Sequence, residues 1–261
     1  MITALYSAAT GMEAQETQIN VVANNLANVN TTGFKRSRAN FQDLLYHNIR
    51  AVGSATSSDT EVPTGIQVGL GTRTASVEKV YTTGDFETTG RDLDLAIEGE
   101  GFFQVAMPNG ETAYTRDGSL KSDSQGRLVT ADGNPVEPAI TIPENATKVA
   151  IGKRGTVTAY LDGEAEGNEL GVLELARFSN PSGLKSMGGN LQLESTASGT
   201  PILGEPGDSG LGTIAQGFLE SSNVSIMKEM ISLISGQRAY EINSKAVKAA
   251  DEILQQTNQL V

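Results

Sequence analysis

The last segment of the chain, Asn223–Leu260, has apolar residues on two opposite sides of the helix that its pattern predicts. A surface helix needs only one apolar stripe, which faces its own core. We therefore expect this helix to be covered from both sides, in part by a surface outside the chain. The first stripe consists of Met227, Ile231, Ile234, Ile242, Ala246, Ala249, Ile253 and Leu260, and the second of Ile226, Leu233, Tyr240, Val247 and Leu254.

The other terminus predicts a second long helix, Ile2–Val29, that ends near Gly33. Its apolar seam recurs every seven positions at Leu5, Met12, Ile19 and Leu26. That period is typical of a coiled coil. Because the chain leaves this helix and later returns to form the last one, the two helices must run antiparallel if they pair. Either C-terminal stripe could face the N-terminal helix, which would leave the other stripe for a neighbouring molecule.

The sequence between the helices changes from irregular to strand-like. Residues 34–50 favour a short helix or an extended arm, and residues 51–65 favour a loop rich in Ser, Thr and Gly. From Gln67 onwards, short apolar runs alternate with turn signals, as in an all-β domain. The clearest hairpin joins Phe102–Met107 to Thr112–Thr115 through Asn109-Gly110.

These elements predict a mainly β fold with long terminal α-helices. The N- and C-terminal helices would form an antiparallel coiled-coil stalk, and an all-β domain would be inserted discontinuously between them. We divide the chain into a terminal helical domain at 1–33 with 223–261, a connecting arm and loop segment at 34–66 with 206–222, and a β-rich outer domain at 67–205.

The composition excludes several classes of function. The chain has no cysteine and one histidine, His47, which excludes a thiolate metal site, a thiol nucleophile and a multi-histidine metal site. The net charge of −12 argues against nucleic acid as a partner, because phosphate binding needs clustered Lys and Arg. No apolar run reaches the roughly 18 residues of a transmembrane helix. The N-terminus lacks the pattern of a secretory signal, so we expect neither membrane insertion nor a cleaved signal peptide.

One tetrapeptide, Gly207-Asp208-Ser209-Gly210, matches the nucleophile signature of chymotrypsin-like serine proteases. That chemistry needs a histidine base held by a buried carboxylate. The only candidate base is His47, which precedes a predicted loop and has no strand framework around it. We therefore expect neither an enzyme nor a cofactor. A secreted serine hydrolase around Ser209, or a β-rich adhesin, is the alternative from a different class.

Three motifs, in order along the chain, closely resemble those of bacterial flagellar rod and hook proteins. They are Asn24–Lys35 (NNLANVNTTGFK), then Gly99–Val105 (GEGFFQV) with Tyr114–Gly118 (YTRDG), and finally Ser222–Val224 with Gln237–Glu241 (QRAYE). The resemblance covers essentially the whole chain. It implies a structural subunit of the distal rod, a rigid helical homopolymer that transmits motor torque to the hook and forms part of the export channel. Another axial protein, of the proximal rod or hook type, is the alternative within this family.

The resemblance also implies partners and a location. The partners are further copies of the chain, the proximal rod and hook-side axial proteins, the surrounding rings of the basal body, and the flagellar type III export apparatus. The rod would span the periplasm.

The resemblance finally implies two sets of site residues, an assembly interface on the terminal helices and a rod-specific loop that stiffens the rod relative to the hook. Within the interface, the asparagines would lock helix ends to neighbouring backbones, because a buried amide needs hydrogen-bond partners. The interface comprises Leu5, Met12, Ile19, Asn24, Asn25, Leu26, Asn28, Met227, Met230, Ile231, Leu233, Ile234, Gln237, Arg238, Tyr240, Ile242, Val247, Ile253 and Leu254, and the loop comprises Tyr46, Ser54, Thr56, Pro63 and Gly65.

Overall fold

A computed structural model describes residues 2–50, 55–57, 60–61, 64–161 and 167–259 of the chain. Helix α1 spans Ile2–Ala27 and helix α2 spans Ile226–Gln259, with strands between them. The predicted mainly β fold with long terminal helices is therefore confirmed. The strands are β1 Ser37–Asp43, β2 Tyr46–Arg50, β3 Ala55–Ser57, β4 Thr60–Glu61, β5 Ile66–Gly69, β6 Thr72–Lys79, β7 Phe86–Thr88, β8 Leu95–Glu98, β9 Phe102–Ala106, β10 Thr112–Thr115, β11 Lys121–Ser122, β12 Leu128–Val129, β13 Val136–Glu137, β14 Ala146–Ile151, β15 Thr156–Leu161, β16 Asn168–Val172, β17 Leu175–Arg177, β18 Lys185–Gly188, β19 Leu191–Leu193, β20 Ile202–Gly204, β21 Thr213–Gln216 and β22 Phe218–Glu220.

Helix α1 ends earlier than its apolar pattern predicts. The residues after Ala27 form consecutive turns, in which Thr31 N–H donates to the Asn28 carbonyl and Phe34 N–H donates to the Thr31 carbonyl. Gly33 has a φ of +68°, a left-handed conformation that suits glycine. The asparagines favour these turns over further helix because their side chains compete for local backbone hydrogen bonds. The glycine predicted to stop the helix therefore belongs to the turns that follow it.

The described chain forms two compact units, and each is discontinuous in sequence. The helix-and-arm unit contains Met1–Leu26, Ser37–Glu78 and Ser225–Val261, and the β unit contains Ala27–Arg36 and Lys79–Val224. These boundaries differ from the predicted ones, because residues 27–33 and 206–222 make their hydrogen bonds within the β unit. Gly33 N–H, for example, donates to the Glu220 carbonyl.

The β unit is built on a seven-stranded antiparallel sheet. Its order is β18-β19-β10-β9-β17-β20, with β13 also pairing with β9. The predicted hairpin at its centre is confirmed, since Tyr114 pairs with Gln104 in register and Gly110 has a φ of +84° in the connecting turn. The core of the unit consists of fully buried side chains, and it includes Leu95, Ile97, Phe103, Leu120, Leu128, Val157, Leu173, Leu175 and Ile214.

The helix-and-arm unit contains two two-stranded sheets, β1 with β6 and β2 with β5. Residues 34–50, for which the sequence allowed a short helix or an extended arm, are thus largely extended. Helix α1 packs on this arm, where Ser7 Oγ donates to the Gly69 carbonyl and Thr72 N–H donates to Thr10 Oγ1. A methyl group on Gly71 would clash with Thr10 Oγ1, so glycine permits the close approach.

Within the described part of the chain, neither helix is long and apolar enough to cross a membrane.

Candidate assembly interface

The terminal helices pair antiparallel within the helix-and-arm unit. Near the start of α1, a methyl group on Gly11 would lie 2.9 Å from Asn243 Nδ2. Two turns further, a methyl group on Gly236 would lie 3.3 Å from Ile19 Cγ1. Near the end of α1, Asn25 Nδ2 donates to Glu229 Oε2 at 3.3 Å. Along these contacts the residue numbers on α2 decrease while those on α1 increase. The two helices therefore run in opposite directions.

The covered side of α1 is centred on Ala14, Val22 and Asn25, which are buried. The predicted seven-residue seam borders this side, and all four of its residues are half-buried. Those residues are Leu5, Met12, Ile19 and Leu26. The seam thus faces inward over part of its surface, and smaller or polar residues occupy the centre of the contact.

Helix α2 presents its two predicted stripes differently. Gly236 and Asn243 mark the side that faces α1. Leu233 and Val247, which lie three and four residues from them, are on the same side and are half-buried. Tyr240 belongs to the same stripe and is exposed, and the side chain of Leu254 lies outside the described part of the structure. The seven-residue stripe is therefore the one that borders α1.

The other stripe lies on the opposite side of α2 and is exposed. Met227 is 73% exposed, Ile231 62% and Ile242 65%. Ile234, Ile253 and Met230 are also about half exposed. An apolar groove runs along this side, lined by Ile231, Ile234, Ser235, Arg238, Ala239 and Ile242. Gln237 is exposed beside the groove, and Arg238, which lines it, is exposed as well. A continuous row of large exposed apolar side chains is characteristic of interaction surfaces.

The asparagines of the N-terminal motif have different environments. Asn25 is fully buried and bonds the backbone of Ser37 twice, donating to its carbonyl at 2.9 Å and accepting from its N–H at 2.8 Å. Asn28 accepts a hydrogen bond from Thr31 Oγ1. Asn24 is exposed. Asn25 thus makes the long-range backbone contacts that hold the end of α1 against β1.

The same motif continues into a buried ionic cluster in the β unit. Lys35 Nζ donates to Glu220 Oε1 at 2.5 Å and to the Thr82 carbonyl at 2.8 Å. Arg116 Nε lies 3.3 Å from Glu220 Oε2. The guanidinium also donates to the carbonyls of Gly101 and Gly99. This cluster fixes the chain after α1 to the last strand before α2.

Burial is the largest influence on the pKa of both cations in this cluster. Burial lowers the pKa of Lys35 below its ordinary value, and the neighbouring Arg116 charge adds to that effect while Glu220 opposes it. Burial likewise lowers the pKa of Arg116, again against the attraction of Glu220. One carboxylate therefore compensates two buried cations, which makes Glu220 the critical member.

The predicted rod-specific loop is only partly described. Ser54 and Pro63 lie outside the described residues, and Thr56 lies in β3, where side chains are not described. Tyr46, at the start of β2, is exposed, and Gly65 is half-buried. The β2–β5 pair carries a further row of exposed apolar side chains at Leu45, Tyr46, Ile49, Ile66 and Val68. An isolated two-stranded hairpin is only marginally stable in water. The exposed apolar row on this arm is therefore a second candidate contact surface.

The tetrapeptide around Ser209 has an ordinary turn structure. Ser209 has a φ of +52°, and its carbonyl accepts a hydrogen bond from Arg177 Nη1. His47 lies in the exposed strand β2 of the helix-and-arm unit. No group of three or more potential metal-binding side chains occurs among the residues that the structure describes.

Several residues of the site were not predicted from the sequence. Gly11 and Gly236 are the contact points between the helices, and Glu229 and Glu220 are the buried carboxylates. A signal was present for the glycines, because glycine inside a helix costs about 1 kcal/mol relative to alanine and so indicates a close approach. The buried carboxylates gave no such signal, since acidic residues near helix and strand ends are ordinarily solvated.

Comparison with known proteins gives matches along the chain. Residues 5–35 match the family "Flagella basal body rod protein", residues 96–159 match "Flagellar hook protein FlgE/F/G D1 domain", and residues 215–260 match "Flagellar basal body rod FlgEFG protein C-terminal". The chain is similar to three proteins named "Flagellar basal-body rod protein FlgG". The one from Caulobacter vibrioides is 49% identical over 258 residues, covering 98% of each chain. The one from Buchnera aphidicola subsp. Schizaphis graminum is 47% identical over 260 residues, covering 100% of each chain. The one from Bacillus subtilis is 40% identical over 261 residues, covering 98% of each chain.

Proposed function

The chain belongs to the family of flagellar basal-body rod proteins, and we propose that it builds a rigid helical tube through its terminal helices. It is a structural subunit of the bacterial flagellar distal rod and not an enzyme. As a member of the rod, it assembles with other axial components of the flagellum.

The exposed apolar stripe of α2 is the observation that supports this proposal most directly. Its side chains lie on the side opposite the contact with α1, and they are about half or more exposed. Burying apolar surface contributes about 25 cal/mol per Å², so a row of isoleucines and methionines is a strong driving force for association. We propose that Met227, Ile231, Ile234, Ile242 and Ile253 contact the terminal helices of neighbouring copies.

The geometry of this stripe suits a polymer. Ile231, Ile242 and Ile253 are spaced by eleven residues. An eleven-residue period keeps a stripe nearly straight along a helix, whereas a seven-residue period winds around it. A contact between two different faces produces a helical assembly on repeated addition of subunits when its rotation does not close into a ring. Residues 224–261 contain four basic and four acidic side chains, so like segments can pack without net repulsion.

The finer features of the assembly are also part of the proposal. The antiparallel α1–α2 pair would form a coiled-coil stalk in the inner tube, with the β domain outside it. The exposed β2–β5 arm and residues 51–65 would stiffen the rod by contacting neighbouring subunits. The rod would span the periplasm, be exported by the flagellar type III apparatus without a cleaved signal peptide, and meet the proximal rod, the hook-side proteins and the rings.

Electron microscopy of the purified full-length chain tests polymer formation. We expect monomers at low concentration and filaments of uniform diameter when the protein is concentrated. A chain that remains monomeric at every concentration would contradict the proposed assembly surface. The alternative of a hydrolase would require covalent labelling at Ser209 by a serine-directed inhibitor, which we expect to be absent.

A further inference from the structure

Helix α1 also has an exposed stripe, which is built mainly from small and acidic residues. Its members are three or four positions apart, which is the spacing of a helix seam that faces a partner helix. Helix α1 contains no basic residue, so the stripe is negatively charged. Its alanines let another helix approach closely. We name it the α1 outer stripe, and it consists of Tyr6, Ala9, Glu13, Glu16, Asn20, Ala23 and Ala27.

The exposed stripe of α2 has the opposite character in both size and charge. Large apolar side chains such as Ile231 and Ile242 line its groove together with Arg238. Lys245 lies seven residues further on, which is about two turns and therefore on the same side of the helix. Glu241 lies at the edge of this side and leaves it with a net positive charge. Large side chains and positive charge on α2 thus match small side chains and negative charge on α1.

Within the described part of the chain, none of the four charged side chains at the centre of these stripes forms an ion pair. These side chains are Glu13, Glu16, Arg238 and Lys245. The two stripes cannot meet in one chain, because the contacts at Gly11 and Gly236 bring the other sides of the helices together. A second copy, however, can bring its α1 outer stripe to the exposed stripe of α2.

Two copies that lie side by side in the same orientation bring the charges level with one another. Helix α1 of one copy then runs antiparallel to α2 of the other, as it does within the chain. Ile19 is level with Gly236, so position 16, three residues earlier, is level with position 239. Glu16 is therefore next to Arg238 along the helix axis. Glu13, about one turn earlier, is level with the part of α2 between the two basic residues.

We propose that the exposed stripe of α2 packs against the α1 outer stripe of a second copy, with Glu13 and Glu16 facing Arg238 and Lys245. This inference rests on the proposed function and adds the face that the stripe contacts. Isoleucines beside alanines supply the packing, and the charges select the face, because two α2 stripes would repel each other. Each added copy again presents both faces, which permits continued growth.

Charge reversal in purified full-length chains tests this pairing. The α1-reversed chain carries Glu13→Lys with Glu16→Lys, and the α2-reversed chain carries Arg238→Glu with Lys245→Glu. Each should raise the lowest concentration at which sedimentable polymers form by at least about tenfold, because like charges then face each other across the contact. Helix content and the urea midpoint should stay as in the natural chain, because all four side chains are exposed.

Mixing the two reversed chains distinguishes a contact between copies from a contact within one chain. In an equal mixture, the changed face of each chain meets the changed face of the other, so opposite charges face each other again. Alternating polymers should therefore form near the concentration that the natural chain requires. A single chain with all four substitutions should also polymerise. A contact within the chain would restore the chain with four substitutions but not the mixture.

Lys121→Glu with Lys185→Glu is the control for net charge. It changes the charge as much as the α2-reversed chain does, at exposed positions of the β unit, and should polymerise like the natural chain. Where a double reversal lowers helix content, the single reversals Glu16→Lys and Arg238→Glu are mixed instead, with the same expectation.

The pairing is overturned if the reversed chains polymerise like the natural chain, or if their mixture stays monomeric while the natural chain forms polymers. Either result leaves the proposed function intact, because the natural chain still assembles. A natural chain that stays monomeric contradicts the proposed function and the pairing together. The behaviour of the natural chain therefore separates the two failures.

Discussion

The β unit and helix α2 use their apolar residues in opposite ways. In the β unit, Leu95, Phe103 and Leu175 are fully buried in one core. In α2, the isoleucines of the exposed stripe are about half or more accessible to solvent. The first region buries its apolar side chains within the chain, whereas the second leaves many of them exposed to solvent. We therefore propose that stability and assembly are carried by separate parts of the same subunit.

The largest effect on stability is expected from the core of the β unit. Phe103→Ala removes a fully buried ring and leaves a cavity, which should lower the free energy of unfolding by about 3–5 kcal/mol. Urea denaturation followed by circular dichroism measures this loss. A loss under about 1 kcal/mol would mean that the β unit does not depend on its core, and the contrast with α2 would disappear.

The buried ionic cluster should give the next largest effect. Glu220→Gln leaves Lys35 and Arg116 buried without a neutralising charge, which should cost about 3 kcal/mol. Lys35→Met should cost less, because Arg116 still pairs with Glu220. Equal losses for the two variants in the same urea titration would contradict the central role assigned to Glu220.

A smaller effect should appear as a pH dependence at Tyr81, whose hydroxyl donates to Gln192 Oε1 at 2.6 Å. Burial raises the pKa of Tyr81 above its ordinary value. Above pH about 10 the unfolded chain loses this proton while the folded chain keeps it, so stability falls as the pH rises further. The expected slope for this group is up to about 1.4 kcal/mol per pH unit.

Tyr81→Phe isolates that group, because the other titrating residues are shared with the natural chain. Near neutral pH the variant should be less stable by about 1 kcal/mol, through the lost hydrogen bond. The difference in unfolding free energy between the variant and the natural chain should shrink and then reverse as the pH rises above about 10. If this difference in unfolding free energy stays constant across the alkaline range, Tyr81 ionises equally in the folded and the unfolded chain.

The sequence predicted those features that depend on local patterns. The two stripes of α2, the seven-residue seam of α1 and the hairpin around Asn109-Gly110 follow from helical and strand periodicity and from turn chemistry. The early end of α1 was missed because the apolar pattern continues to Val29 while the turn after Ala27 is decided by hydrogen bonds.

The buried polar contacts could not be predicted, since their partners are distant in sequence. Lys35 and Glu220 are 185 positions apart, and Asn25 and Glu229 are 204 positions apart. Residue type alone favours solvent exposure for a lysine or a glutamate. Which stripe of α2 faces α1 was left open for a related reason, because both stripes are apolar. The glycines and the buried Glu229 select the side, and neither belongs to the apolar pattern.

Comparing Ile231→Asp with Ile202→Asp decides whether the exposed stripe of α2 is the assembly surface. The two variants make the same substitution at exposed isoleucines, one on α2 at 62% exposure and one on β20 at 45%. Both should unfold in urea within about 0.5 kcal/mol of the natural chain, because neither side chain is in a core. Sedimentation of the concentrated proteins should then show polymers for Ile202→Asp and monomers for Ile231→Asp. Polymers of normal length from Ile231→Asp would contradict the claim that this side of α2 drives assembly.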